Sequence, residues 1–181
     1  MTNITLNTLK FSNMFSYGAN NSIALDANRI TQLTATNGSG KTSLALILQE
    51  LLFSKNVKGI KKGDILNRHS SEKSWIGSID FTVDNSAYCV TVKRTGASTK
   101  VELKRDGVDI SEHKVADTYK RIEEILGLDF EIFSQITYQS STDLLEFLKA
   151  TDTNRKKFLI RLFNLDKYVE IGEKVKAKLS V

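Results

Sequence analysis

The sequence predicts an α/β fold in which a β-strand runs into a phosphate-binding loop and a helix leads out of it. Three observations predict this. Residues 35–42 read Ala-Thr-Asn-Gly-Ser-Gly-Lys-Thr, the residues before them alternate apolar and polar, and the residues after them are apolar at helical spacing. Further alternating runs, broken by Asp-Asn and Asp-Gly, add antiparallel hairpins to the same fold.

Residues 4–11 alternate and are expected as the first strand, residues 22–25 as a short second strand, and residues 29–35 as a third that enters the loop. Residues 42–53 carry Leu44, Leu46, Ile47, Leu48, Leu51 and Leu52, an apolar surface broad enough to predict a buried helix. Residues 54–74 are polar and basic, with Lys58, Lys61, Lys62 and Arg68, and read as a loop of little regular structure. Residues 75–83 and 87–94 form a predicted hairpin turning at Asp84 and Asn85. Residues 100–104 and 108–110 form another, turning at Asp106 and Gly107. Val115, Tyr119, Ile122, Ile125 and Leu126 give a helix over 115–126 that Gly127 stops. A longer helix starts near Asp152, a candidate N-cap, and Leu165, Tyr168, Ile171, Val175 and Leu179 recur at three- and four-residue spacing as in the entry to a coiled coil.

Composition narrows the function classes. The chain has 181 residues, 40% hydrophobic and 26% charged, which is neither a disordered nor a membrane composition, and no apolar run is long enough to span a bilayer. The first residues show no basic segment followed by an apolar one, so no secretory signal is expected, and a cytoplasmic location follows. The single cysteine, Cys89, lies in a strand-like run with no His or second Cys beside it, the pattern of an inert thiol. His69 and His113 stand isolated in polar surroundings and read as surface residues. A net charge of +5 suits a polyanionic partner without identifying one. Proline is absent, so turns must rely on Gly, Asn and Asp.

The loop at Ala35, Thr36, Asn37, Gly38, Ser39, Gly40, Lys41, Thr42 and Ser43 carries the chemistry. Gly38 and Gly40 allow backbone angles that turn several N–H groups toward one point, and the following helix aims its positive end at the same place. Lys41 offers an ammonium to the β- and γ-phosphates, and Thr42 offers a hydroxyl to Mg²⁺. Ala35 stands where the usual pattern has a first glycine. No carboxylate after a strongly apolar strand completes the metal site; Asp80 and Asp129 come nearest and read as ordinary surface acids. The chain thus carries the front half of an ATPase site.

The order of an N-terminal strand, Asn13-Met-Phe-Ser-Tyr17, the Asn-Gly-Ser-Gly-Lys-Thr core, a basic loop Ile60-Lys-Lys-Gly-Asp-Ile-Leu66, then Ile136-Thr-Tyr-Gln-Ser-Ser-Thr-Asp-Leu-Leu-Glu-Phe-Leu148 and the helix from Asp152 resembles the SbcC type of SMC-like ATPase. These are ABC-class ATPases of double-strand-break processing, the bacterial and phage kin of eukaryotic Rad-fifty, and the chain resembles in character bacteriophage recombination-exonuclease subunits. The resemblance implies the N-terminal lobe of an ABC-class P-loop NTPase over residues 1–163, a mixed sheet around the P-loop helix, with a coiled coil starting at 164–181. It implies ATP and Mg²⁺ as cofactors. Gln139 would contact Mg²⁺ and the γ-phosphate or attacking water; Gln135 competes for that role. Ser16, Tyr17 and residues 62–65 would approach the base or ribose. The implied partners are the C-terminal lobe of the same subunit, a second ATPase head in an ATP-dependent homodimer, a nuclease subunit and double-stranded DNA, with Lys55, Lys58, Lys61, Lys62, Lys93 and Arg94 as candidate DNA contacts. No membrane partner is implied, and the location would be the host cytoplasm for a phage-encoded protein. The other functions weighed are an SMC- or RecF-like DNA-binding ATPase without a nuclease partner and a small P-loop phosphotransferase.

Overall fold

The computed structural model describes residues 3–137, 149–163 and 165–179. It falls into two compact units, Met1–Phe130 and Glu131–Val181. In the first, strands β1 (Ile4–Ser12), β2 (Asn21–Ala24), β3 (Ser74–Val83), β4 (Ser86–Thr95), β5 (Ser98–Arg105) and β6 (Val108–Asp109) form one sheet in the order β2-β1-β3-β4-β5-β6. Every pairing among them is antiparallel. Helix α1 (Lys41–Phe53) packs on β3 and β4, and helix α2 (Val115–Leu126) packs on α1 and β5.

The face toward α1 follows from the strand alternation. Trp75, Ile79 and Phe81 of β3, Val90 and Val92 of β4 and Leu103 of β5 are buried on it. The first strand keeps to this face only through a bulge. Leu6 lies opposite Phe81 and Thr8 opposite Asp80, so Asn7 is the extra residue. That resets the alternation and puts Leu6 and Leu9 on the same side of the sheet. Asn7 is held by its neighbours: its Oδ1 accepts from Thr82 Oγ1 at 3.0 Å and its Nδ2 donates to Asp26 at 2.9 Å. Close approach of α1 to the sheet depends on Gly77. A β-carbon there would stand 2.8 Å from Leu51 Cδ2 and 3.3 Å from Met14 Sδ.

Both hairpins turn where expected. Asp106 and Gly107 take φ of 49° and 83°, the left-handed pair that matches the strands' twist. Gly127 ends α2 with φ 63° and donates its N–H to Glu123 O at 2.9 Å. Residues 29–35, expected as the third strand, enter no ladder among the described residues, and Ile30 is 90% exposed and Leu33 55%. The apolar alternation of that segment has no neighbouring strand here against which to pair. The polar segment expected to be irregular is instead anchored: Ile65 is fully buried, Leu66 bridges to Met14, and a 3-10 turn spans Lys62–Asp64.

In the second unit, α3 (Phe130–Thr137) begins at the boundary, followed by α4 (Asp152–Leu162) and α5 (Asp166–Leu179). Thr151 rather than Asp152 caps α4, its Oγ1 accepting from Asn154 N at 3.4 Å, while Asp152 pairs with Arg155 at 3.1 Å. Tyr168, Ile171, Val175 and Leu179 of α5 are exposed. No helix among the described residues is long and apolar enough to cross a membrane.

Helix α1 is not uniformly apolar where it is buried. Glu50 is 2% exposed, and burial raises its carboxyl pKa against the opposing pull of Lys62, Asn56 and Arg94. Tyr119 of α2 lies in the same surroundings, its phenol pKa also pushed up by burial and by Glu50. Lys62 donates its ammonium to Ser54 Oγ at the end of α1. An acid whose folded-state pKa exceeds its unfolded value binds its proton more tightly when folded. The stability attached to Glu50 is therefore full below about pH 4.5 and is lost as pH rises through its folded value. Glu50→Gln, which cannot ionise, will lack this decline. Thermal midpoints recorded from pH 4 upward will shift in favour of the variant relative to the parent, and parallel profiles would contradict the buried carboxylate.

Candidate functional site

The loop between residue 35 and α1 is built around a free helix start. Gly40 is the N-cap of α1, with φ 99°, and no side chain caps the helix. Ser43 N is taken up by the Gly40 carbonyl, which leaves the N–H groups of Lys41 and Thr42 as the free donors of the first turn. No acidic residue lies in that turn, so nothing competes with an incoming anion. Asn37 and Gly38 form a turn, Gly38 with φ 84°, and Ser39 N donates to Thr36 O at 3.3 Å. Ser43 N donates to Gly40 O at 2.9 Å.

Lys41 reaches back across this loop. Its Nζ donates to Ala35 O at 2.6 Å and to Thr36 O at 2.9 Å. The two carbonyls hold the ammonium in place without cancelling its charge. Ala35 is not among the residues with positive φ, so the missing first glycine costs no backbone strain at this position. The hydroxyl-bearing Thr42 sits in the first turn and is exposed. The structure thus brings Ala35, Thr36, Asn37, Gly38, Ser39, Gly40, Lys41, Thr42 and Ser43 into one solvent-facing cradle. A β-carbon added at Gly40 would stand 2.3 Å from Ser16 Oγ, so the loop has no room for a side chain there.

Behind the cradle lies the turn after β1. Tyr17 donates its O–H to Gly40 O at 3.1 Å. Its own carbonyl accepts from Asn67 Nδ2 at 2.9 Å, and Asn67 N donates to Asn13 O at 2.9 Å. Asn13 and Asn67 are both buried, and Asn13 Nδ2 donates to Glu72 at 2.7 Å. The family resemblance points to Ser16 and Tyr17 near the nucleotide in a motif that begins at Asn13, but nothing in the sequence marks Asn13 or Asn67 as buried supports, because their partners lie dozens of residues away.

Other expectations fare differently. Gln139 lies outside the described residues, and Gln135 is exposed on α3. Lys62, expected near the base, turns its ammonium to Ser54, and Ile65 is in the core. With 13 residues in α1, Ser54 is about 20 Å along the helix from the cradle. Arg94 donates to Thr99 Oγ1 at 2.8 Å within the sheet. Asp80 points away from α1 and pairs with Lys10 at 3.8 Å, as a surface acid should. Among the described residues no group of three His, Cys, Asp or Glu side chains forms a metal site.

Comparison with known proteins agrees with this geometry. The model of a family described as an AAA domain matches residues 8–180. A probable exonuclease subunit 2 of Escherichia phage T5 is 44% identical over 98% of this chain and 29% of its own length. Exonuclease subunit 2 of Enterobacteria phage T4 is 25% identical over 98% of this chain and 31% of its own. The DNA double-strand break repair Rad50 ATPase of Methanococcus maripaludis is 25% identical over 81% of this chain and 14% of its own. The chain therefore spans about three tenths of the phage relatives it matches. Among solved structures, an SMC ATPase characterised for ATP-driven dimerization and DNA-stimulated activation superposes with a TM-score of 0.64 at 16% identity, covering 87% of this chain and 98% of that one. RecF bound to ATP superposes with a TM-score of 0.56 at 14% identity, covering 96% and 42%. The fold is that of an ABC-type ATPase head, similar to those of SMC and RecF proteins, and the chain belongs to the AAA domain family.

Proposed function

We propose that this chain is the ATP-binding lobe of an SMC-like ATPase subunit that controls a partner nuclease during DNA end processing, recombination and repair. The observation that carries the proposal is Lys41 held over the uncapped start of α1 by the carbonyls of Ala35 and Thr36. The first-turn N–H groups and the Lys41 ammonium bind a polyphosphate, and Thr42 offers its hydroxyl to Mg²⁺. Mg²⁺, when bound, supplies charge neutralisation at the reacting phosphate. Gln139 has the amide chemistry to position a water or accept from one.

The rest of the site comes from other segments. Leu33, 55% exposed, lines a groove of about 270 Å³ with Leu9, Ile23, Leu25, Leu44 and Leu48. This apolar surface suits the sheet of a second, C-terminal lobe, and the greater length of the relatives leaves room for one. In this reading residues 1–163 form the lobe, residues 164–181 open a coiled coil along the exposed apolar residues of α5, and two heads close on ATP as a homodimer. The candidate contact for double-stranded DNA in this reading is the outer sheet face, where Lys93 and Lys104 stand exposed and Lys10 and Lys100 pair with Asp80 and Glu102. The setting would be the host cytoplasm, in keeping with the phage relatives.

The RecF likeness favours a second reading, a DNA-binding ATPase with no nuclease. Reconstitution separates the two. The full-length protein, mixed with the nuclease subunit encoded in the same genome, will raise degradation of linear duplex DNA in the presence of ATP and Mg²⁺. DNA-stimulated ATP turnover with no effect on any such nuclease would favour the RecF-like reading.

A further inference from the structure

We infer that Tyr17 braces the phosphate loop through its phenol O–H and sets polyphosphate affinity without touching the base. The inference rests on the nucleotide-binding function proposed for Lys41 and the start of α1.

The Tyr17 O–H donates to Gly40 O at 3.1 Å, and the same carbonyl accepts from Ser43 N at 2.9 Å. Both bonds fix the peptide unit between Gly40 and Lys41. That unit is planar, with its C=O and N–H on opposite sides. Pinning the carbonyl therefore orients the N–H of Lys41, one of the free donors at the start of α1. The ring lies against the loop as well. A β-carbon at Gly40 would stand 3.2 Å from Tyr17 Cε2 and 3.4 Å from Cζ.

The brace is itself immobilised. The Tyr17 ring meets the buried Phe11 edge-on at 5.1 Å and 84°. Tyr17 N donates to Met14 O at 3.0 Å, and Tyr17 O accepts from Asn67 Nδ2 at 2.9 Å. Asn67 is buried, with its Oδ1 accepting from His69 N at 2.8 Å. Phe15 N donates to Ile65 O at 2.6 Å, so the turn is tied to a fully buried residue on its other side. A side chain fixed by the core at one end and bonded to the loop at the other is a positioning residue. Its effect should be the same for any ligand that carries a polyphosphate.

The test uses ATP and inorganic tripolyphosphate as probes on the full-length protein. Tyr17→Phe keeps the ring and removes only the hydroxyl. It will weaken both ligands by a similar factor of about two to five, the part of one neutral hydrogen bond's worth that goes into re-ordering the loop on binding. The thermal midpoint without ligand will fall by no more than about 2–4 °C, since one partly exposed bond is lost. Replacement of Tyr17 by 4-aminophenylalanine, whose N–H can donate to the same carbonyl, will restore affinity for both probes. Unchanged affinities in Tyr17→Phe would overturn the brace. So would a Tyr17→Leu variant that loses ATP affinity while keeping tripolyphosphate, because that pattern marks a base contact. Lys41→Ala runs alongside: a parent protein that binds neither probe more tightly than Lys41→Ala would overturn the nucleotide reading itself, and the brace with it.

Discussion

Lys41→Ala will lower affinity for ATP by at least about a hundredfold, with little change in the stability of the unliganded protein. Two effects add to this loss. A hydrogen bond from a charged donor contributes about 1.5–3 kcal/mol, and the ammonium also carries the charge that faces the terminal phosphates. Stability should hold because the bonds lost, to Ala35 O and Thr36 O, lie in an exposed loop where water replaces them. Equilibrium titration with a fluorescent ATP analogue, beside a thermal melt, reads both quantities. ATP affinity that survives the change would remove the central claim about this site. Lys41→Arg is the informative companion. A guanidinium keeps the charge but not the compact head that fits between two carbonyls, so it should recover little of the loss.

Phe81→Ala will destabilise the first unit by about 3–5 kcal/mol, enough to unfold a marginal domain. Phe81 is 1% exposed and sits on the inner face of β3, a central strand of the sheet. It lies opposite Leu6 on β1 and Tyr88 on β4, and its ring stacks on Tyr88 at 5.4 Å and 14°. Removing the ring leaves a hole bordered by two strands that cannot both collapse into it. Thr82, the next residue, points to the outer face, and Thr82→Ala should cost far less, chiefly the bond to Asn7. Denaturant melts of the two variants measure the contrast. Equal costs would mean that the register of β3 against β1 and β4 is wrong.

Local chemistry makes much of this fold legible in the sequence. The loop, α1 and the stop at Gly127 follow from residue type and spacing within a dozen positions. The turns at Asp84 and Asp106 do too, since only a few residues accept positive φ. What stays hidden depends on partners far along the chain. The bulge at Asn7 is visible only once Phe81 and Asp80 are placed opposite β1. Asn13 and Asn67 look like ordinary loop asparagines, yet each is buried because it satisfies the backbone or side chains of the other's turn. Glu50 falls within an apolar helix and gives no sign that Lys62 and Arg94 lie close to it. Residues 29–35 alternate as a strand does, but a strand is a relation between two segments, and no described residue pairs with them. The candidate site is therefore legible in its phosphate half, where function is local, and opaque in its supports, where it is not.

The hold on Lys41 also has a thermodynamic consequence. A lysine side chain free in solvent gives up about 2 kcal/mol of rotamer freedom when a ligand fixes it. Here the carbonyls of Ala35 and Thr36 have already reduced its rotamers. That entropy is lost when the chain folds, and little of it remains to be lost when a nucleotide arrives. The loop meets its ligand preorganised, and the attraction between ammonium and phosphate reaches the binding constant nearly undiminished.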